Sequence, residues 1–253
     1  MTHDLVKANL NLYAVIKNLE DLVAFDPEMK ELSSSWNLSI QFSVWGGPRA
    51  YIDFRQGVCT VGRGRIRRPS IILFFTSPGH LNRMFDGAAN PIPLRGFTKI
   101  GFLTKEFPKL TDRLTHFLKP TDELLRDRAY LEMNARLTMN TAAYAIPEIA
   151  AGDPTGITVA SHMPPGTVVM KILPSFHTVN ISFDHGTIKA GKGDAADPTA
   201  IMAMKNVKIA NDFLNGRIDA FTAIASGDVT IRGIIPQLDA MSLLLDRIPA
   251  YLS

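Results

Sequence analysis

The chain has 253 residues, 46% of them apolar and 20% charged; that balance supplies a folded core and excludes the disordered and fibrous classes. A single cysteine, Cys59, excludes an internal disulfide framework and any multi-thiolate zinc or iron–sulfur site. The net charge of +3 conceals an asymmetry, because residues 1 to 120 carry 16 Lys and Arg against 10 Asp and Glu, whereas residues 121 to 253 carry 11 against 14.

The opening Met1-Thr2-His3-Asp4 lacks the basic region and short apolar core of a secretory leader, and no apolar run reaches the roughly 18 to 20 residues that cross a bilayer. The expectation is a cytoplasmic protein. Leu5, Ala8, Leu12, Ile16, Leu19 and Val23 recur at helical spacing. Ala50 to Phe54 alternates apolar and polar residues, then meets Gly57, which predicts a strand, a tight turn and a returning strand thinned by Gly62 and Gly64. After Pro69, Ile71 to Phe75 reads as a buried strand. Ser77 is a good N-cap with Pro78 behind it, and the short helix it opens ends at Asp86 before Gly87. Beyond Gly96 to Gly101, Pro108 leads a helix whose Leu110, Leu114 and Phe117 share a face. Lys119-Pro120 then stops it, placing a boundary between a first region, 1–120, and a second, 121–253.

The second region repeats this order. A helical pattern runs from Thr121 to about Tyr144, Val179 to Phe183 alternates as a strand, and Ala200 to Met204 follows Pro198. Asn206 caps a helix over Ile209 to Asn215, and Pro236 leads Leu238, Met241, Leu245 and Ile248 on one face. Phe54, Gly57, Gly62, Gly64, Pro69 and Gly87 recur as Phe183, Gly186, Gly191, Gly193, Pro198 and Gly216, each 129 residues later without a gap. With glycine near 7% of residues, four glycine matches have a chance probability of about 10⁻⁵ at one chosen offset and about 10⁻² to 10⁻³ over all offsets. Two copies of one unit explain the spacing.

The segments VNISFDHGTIKAGKG (Val179 to Gly193), DPTAIMAMK (Asp197 to Lys205), NDFLNG (Asn211 to Gly216) and SGDVTIRG (Ser226 to Gly233) resemble the sterol carrier protein type 2 family. The first copy answers with AYIDFRQGVCTVGRG, RPSIILFF, NRMFDG and a degraded RGFTKIG. The resemblance implies an α/β (α+β) class: two repeats, each a small, mostly antiparallel curved sheet covered by helices. Between sheet and helices it implies an apolar cavity for lipids, fatty acids or acyl-thioesters.

Met and Phe give volume and adapt to a flexible ligand. Met202, Met204, Phe213, Phe221, Ile224, Met241, Leu244 and Leu245 are therefore the candidate ligand-lining residues of the second copy. In the first copy Phe74, Phe75, Met84, Phe85, Phe107, Leu114 and Phe117 take the same part, with more aromatic filling. Arg63, Arg65, Arg67 and Arg68 form a run able to hold an anionic headgroup or a coenzyme A phosphate. The matching loop of the second copy carries Asp194 and Asp197 instead.

Neither a dinucleotide fingerprint nor a Gly-Lys-Ser/Thr loop follows the glycines, the histidines lack metal-ligand spacing, and no Gly-x-Ser-x-Gly elbow occurs. Neither a catalytic residue nor a metal or cofactor is expected. Nucleic acid is not an expected partner, because no aromatics interleave the arginines; a transient contact with a membrane surface is. The leading expectation is a non-catalytic protein that binds, and transfers, an apolar ligand. The alternatives are an enzyme or enzyme subunit that positions an acyl-CoA-like substrate, and a structural pseudo-dimer with filled cavities.

Overall fold

Thr2 opens the first helix by accepting a hydrogen bond from the Leu5 N–H, 3.4 Å away. In the computed structural model, which describes residues 1–252, α1 (His3–Leu10) passes through a π-type turn (Asn11–Val15) and a 3₁₀ turn (Ile16–Asn18) into α2 (Leu19–Phe25). Asp26 ends α2 and caps α3 (Pro27–Ser33), accepting from the Met29 N–H. The strands β1 (Asn37–Val44), β2 (Arg49–Arg55), β3 (Val58–Arg63) and β4 (Ile71–Phe75) follow. After them come α4 (Pro78–Phe85), capped by Ser77, then β5 (Ile92–Arg95) and α5 (Phe107–Leu118).

These elements make one compact unit, Met1–Lys119; a second begins at Pro120. The second unit contains α6 (Arg128–Gly152), α7 (Pro154–Ser161), β6 (Gly166–Ile172), β7 (His177–Asp184), β8 (Thr187–Lys192) and β9 (Ala200–Met204). It continues with α8 (Val207–Leu214), α9 (Ala220–Ala225), β10 (Val229–Gly233), α10 (Ile235–Leu245) and α11 (Pro249–Leu252). The expected helix from Thr121 starts later, because Asp127 is the residue that caps α6, through the Tyr130 N–H at 2.7 Å. It also runs past Tyr144 and through Pro147 to Gly152.

Each unit holds a five-stranded mixed sheet, in the order β3-β2-β1-β4-β5 in the first and β8-β7-β6-β9-β10 in the second. The central strand pairs antiparallel with one neighbour and parallel with the other in both cases, β1 with β2 and β4, β6 with β7 and β9. The register also corresponds. Ile40 faces Ile52 and Ile71 in the first sheet, and Val168 faces Ile181 and Ala200 in the second. Strands β3, β4 and α4 lie 129 residues before β8, β9 and α8, whereas the partners in β1 and β6 are 128 apart. The difference is one residue in the β6–β7 turn.

Strand alternation gives each sheet a buried face and a polar face. In the first unit the buried face carries Ile40, Phe42, Ile52, Phe54, Ile71, Leu73 and Phe75, and the other face carries Ser39, Gln41 and Asp53. In the second unit Val168, Met170, Ile181, Met202 and Met204 are buried, opposite Thr167, Asn180 and Ser182. The apolar side of each sheet is where an interior ligand would lie.

Candidate functional site

The inner face of the second sheet is built from flexible side chains. Met170 and Met202 are direct cross-strand partners, and the next pair on the same face of these two strands is Ile172 with Met204. Helix α10 packs on β9 and on α6, and its Met241 and Leu244 are fully buried. Three buried methionines on the sheet and one on the covering helix give this interior thioethers, whose unbranched chains repack around a changing shape.

The candidate lining residues divide between interior and surface. Met202, Met204, Met241 and Leu244 are buried, and Phe213 on α8 and Leu245 on α10 are half-buried. Phe221 and Ile224 sit on the short α9 at 83% and 38% exposure. Ile234, Ile235 and Leu243, from the start and the middle of α10, are also exposed. Exposed apolar residues thus accompany a methionine-faced interior, on the two helices that flank β10.

In the first unit the equivalent interior is aromatic. Phe42 and Phe75 stack with ring centres 6.3 Å apart, and Trp36 meets Phe54 and Phe102 edge-on at 5.0 and 4.8 Å. Rigid rings in contact fill space that thioethers leave adaptable.

The four arginines part company. Arg63 lies over the Tyr13 ring at 3.9 Å, so it is used by the N-terminal helix. Arg67 and Arg68 line a shallow depression of about 240 Å³ on the polar face of the first sheet, with Asn37, Ser39, Asp53, Arg55 and Ser70. Arg65 is exposed outside that lining. Gln41 holds the loop that carries them: its Nε2 donates to the carbonyls of Ala50 and Gly64, both at 2.9 Å, and its Oε1 accepts from the Ile66 N–H at 2.9 Å.

Several polar pairs of this architecture go beyond what the sequence pattern predicts. Asn82 on α4 accepts from Asn11 at 3.2 Å, and Asn211, 129 residues later on α8, donates to Asn134 of α6. His177 joins Arg136 and Asn140 at 3.0 and 2.7 Å in a buried cluster. The recurrence of Asn82 at the repeat offset is the signal for the asparagine pairs; nothing local marks the histidine cluster. Among the described residues no group of three or more His, Cys, Asp or Glu is placed to hold a metal, and no helix is long and apolar enough to cross a membrane.

No family model and no curated protein matches the chain. Solved structures do. A UbiJ-SCP2 ubiquinone synthesis protein is 14% identical, with a TM-score of 0.35 over 44% of this chain and 93% of its own. The sterol carrier protein domain 2 of Helicoverpa armigera is 12% identical, with a TM-score of 0.35 over 46% and 91%. The Sterol Carrier Protein 2 Like 2 of Aedes aegypti is 13% identical, with a TM-score of 0.31 over 45% and 98%. The chain is similar to sterol-carrier-type structures over a little under half its length.

Proposed function

We propose that the chain is a tandem pair of sterol-carrier-like units whose second unit binds an apolar ligand, a lipid or fatty-acyl chain, between its sheet and α10. The observation that carries this reading is the methionine-faced interior of Met170, Met202, Met204 and Met241, with Phe221 and Ile224 exposed on the neighbouring α9. An interior of thioethers opens at lower cost than one of interlocked rings, and each ligand methylene removed from water contributes about 0.8 kcal/mol. A long acyl chain therefore needs few polar contacts. The first unit, with its stacked Phe42 and Phe75, is the structural partner in this reading.

The test is mass spectrometry of what extracts with the purified full-length protein, paired with displacement of a fluorescent fatty acid. Co-extracted lipid and saturable displacement are the expected results. Bare protein that also leaves the fluorescent fatty acid undisplaced overturns the reading.

A further inference from the structure

We propose that the polar face of the first sheet carries a phosphate site, built from Arg67, Arg68 and Arg55 beside Ser39, Ser70 and Asn37, that takes a phosphomonoester or pyrophosphate group. It lies outside the apolar interior and does not depend on what that interior binds.

The charge at this place is not balanced from within. Among the described residues, Arg67 and Arg68 form no ion pair or side-chain hydrogen bond, and both are exposed to the depression they line. Arg55 meets Asp53 through its Nε at 2.8 Å, and Asp53 is the one acid among the lining residues, against three arginines. A guanidinium fork matches two oxygens of a phosphate, and such charge-assisted bonds are about twice as strong as neutral ones.

The platform is fixed before any ligand arrives. Gln41 ties Gly64 and Ile66 to the sheet, and the Ser39 and Ser70 backbone N–H groups each donate to the other's hydroxyl at 3.2 Å. Arg68 is held at φ +54°, a left-handed conformation that is strained for an L-residue and that collects at ligand clamps. Its counterpart Asp197 is not among the residues with positive φ.

The second unit has cancelled the same feature. There Asp194, the counterpart of Arg65, pairs with Lys171 at 2.6 Å, so the loop supplies its own anion. Thr199, the counterpart of Ser70, donates to Gln237 at 2.7 Å, and a side chain occupies the position that stays open beside Ser70. In the second unit Lys171 of β6 neutralises the loop's Asp194, whereas the first presents Arg67 and Arg68, without ion-pair partners among the described residues, over a depression with room for a phosphate group.

Isothermal titration of the full-length protein with pyrophosphate tests this, using Arg67→Ala, Arg68→Gly and, as a surface control, Arg95→Ala. Saturable binding that weakens about 10-fold in each site variant and is unchanged in Arg95→Ala is expected; thermal melts confirm that the variants fold, and Arg68→Gly removes backbone strain. No saturation up to about 10 mM, an affinity too weak to matter, overturns the proposal, as does equal weakening in Arg95→Ala. Co-sedimentation with phosphatidylcholine vesicles, with and without phosphatidic acid, separates two sources of the phosphate. Partition to the phosphatidic acid vesicles that pyrophosphate reverses supports a lipid headgroup; pyrophosphate binding without partition supports a free phosphate compound.

Discussion

Arg247 reaches back across 94 residues of sequence to the buried Asp153, its Nη2 3.1 Å from Oδ2. The same carboxylate caps α7 through the Gly156 N–H at 2.8 Å and accepts from the Tyr251 hydroxyl at 2.8 Å. The first unit has the same fastening, with Arg113 of α5 2.9 Å from Asp26, which caps α3. In both, an Asp-Pro step that begins a helix is the point to which the unit's C-terminal helical segment is tied.

Burial opposes the charged form of Asp153, but hydrogen bonds from Arg247, the Gly156 N–H and Tyr251, with the Arg247 charge, hold its carboxyl below the usual carboxylate range. A carboxyl depressed in the folded state stabilises it at pH values above the ordinary carboxylate pKa. That contribution is lost as pH falls through the ordinary value toward the lower folded one. Asp153→Asn removes the charge and is expected to cost about 3 kcal/mol at neutral pH. The gap to wild type then closes in acid. Urea melts at pH 7 and near pH 3 measure both; an equal cost at the two pH values would contradict the assignment.

Asn134 and Asn211 are both buried and hydrogen-bonded to one another, with Asn215 also donating to Asn134 at 3.3 Å. Truncating one partner removes a buried hydrogen bond at a cost of about 1 to 3 kcal/mol, while replacing both relieves much of that penalty. Asn211→Ala is therefore expected to destabilise more than the Asn134→Leu/Asn211→Leu pair does per residue changed. A double-mutant cycle read by denaturant midpoints shows the coupling.

Much of this frame was legible because the devices are local. Gly57 and Gly186 have φ of +78° and +83° in equivalent hairpin turns, and Ser77 and Asn206 cap equivalent helices through His80 and Ile209. Each depends on one residue type at one backbone position. The central strands β1 and β6 carry no such spacing signal, because Ser39 to Phe42 and Val168 to Met170 are buried without a break, where a simple alternation would bury every second residue. Asp26-Pro27 and Asp153-Pro154 mark the starts of α3 and α7 only weakly: both helices are short, and they depend on an arginine far along the chain. For the site, burial of Met202 and Met204 followed from the strand pattern and that of Met241 from its helical face, whereas Met170 lies on the unmarked β6 and exposure of Phe221 had no local signal. It depends on where the turn after Gly216 places α9, which has no counterpart helix at the offset of 129.

Gly62 lies under the ring of Tyr51, its direct cross-strand partner, and a Cβ there would overlap the ring. At the equivalent Gly191 a Cβ would meet the Asn180 side chain at 3.0 Å. Gly62→Ala is expected to cost about 1 to 3 kcal/mol through overpacking, and Gly191→Ala less. Tyr51→Ser should rescue the first substitution and not the second. Melting temperatures of the two glycine variants, each with and without Tyr51→Ser, decide it, and failure of Tyr51→Ser to rescue would place the strain elsewhere.

The last expectation concerns Phe221, whose exposure a buried lining cannot explain. Phe221 at 83% exposure contributes little to folding, so Phe221→Ser should leave stability within about 0.5 kcal/mol of wild type. If α9 is where an acyl chain passes between water and the interior, the same change slows uptake and release of a fluorescent fatty acid while leaving the final affinity nearly unchanged. Met241→Trp overpacks the interior beneath α10, where a ligand chain would lie, and lowers affinity itself. Stopped-flow rates and equilibrium titrations separate the two effects. Equal rates in Phe221→Ser and wild type would remove α9 from the route and leave its exposed apolar side chains without that role.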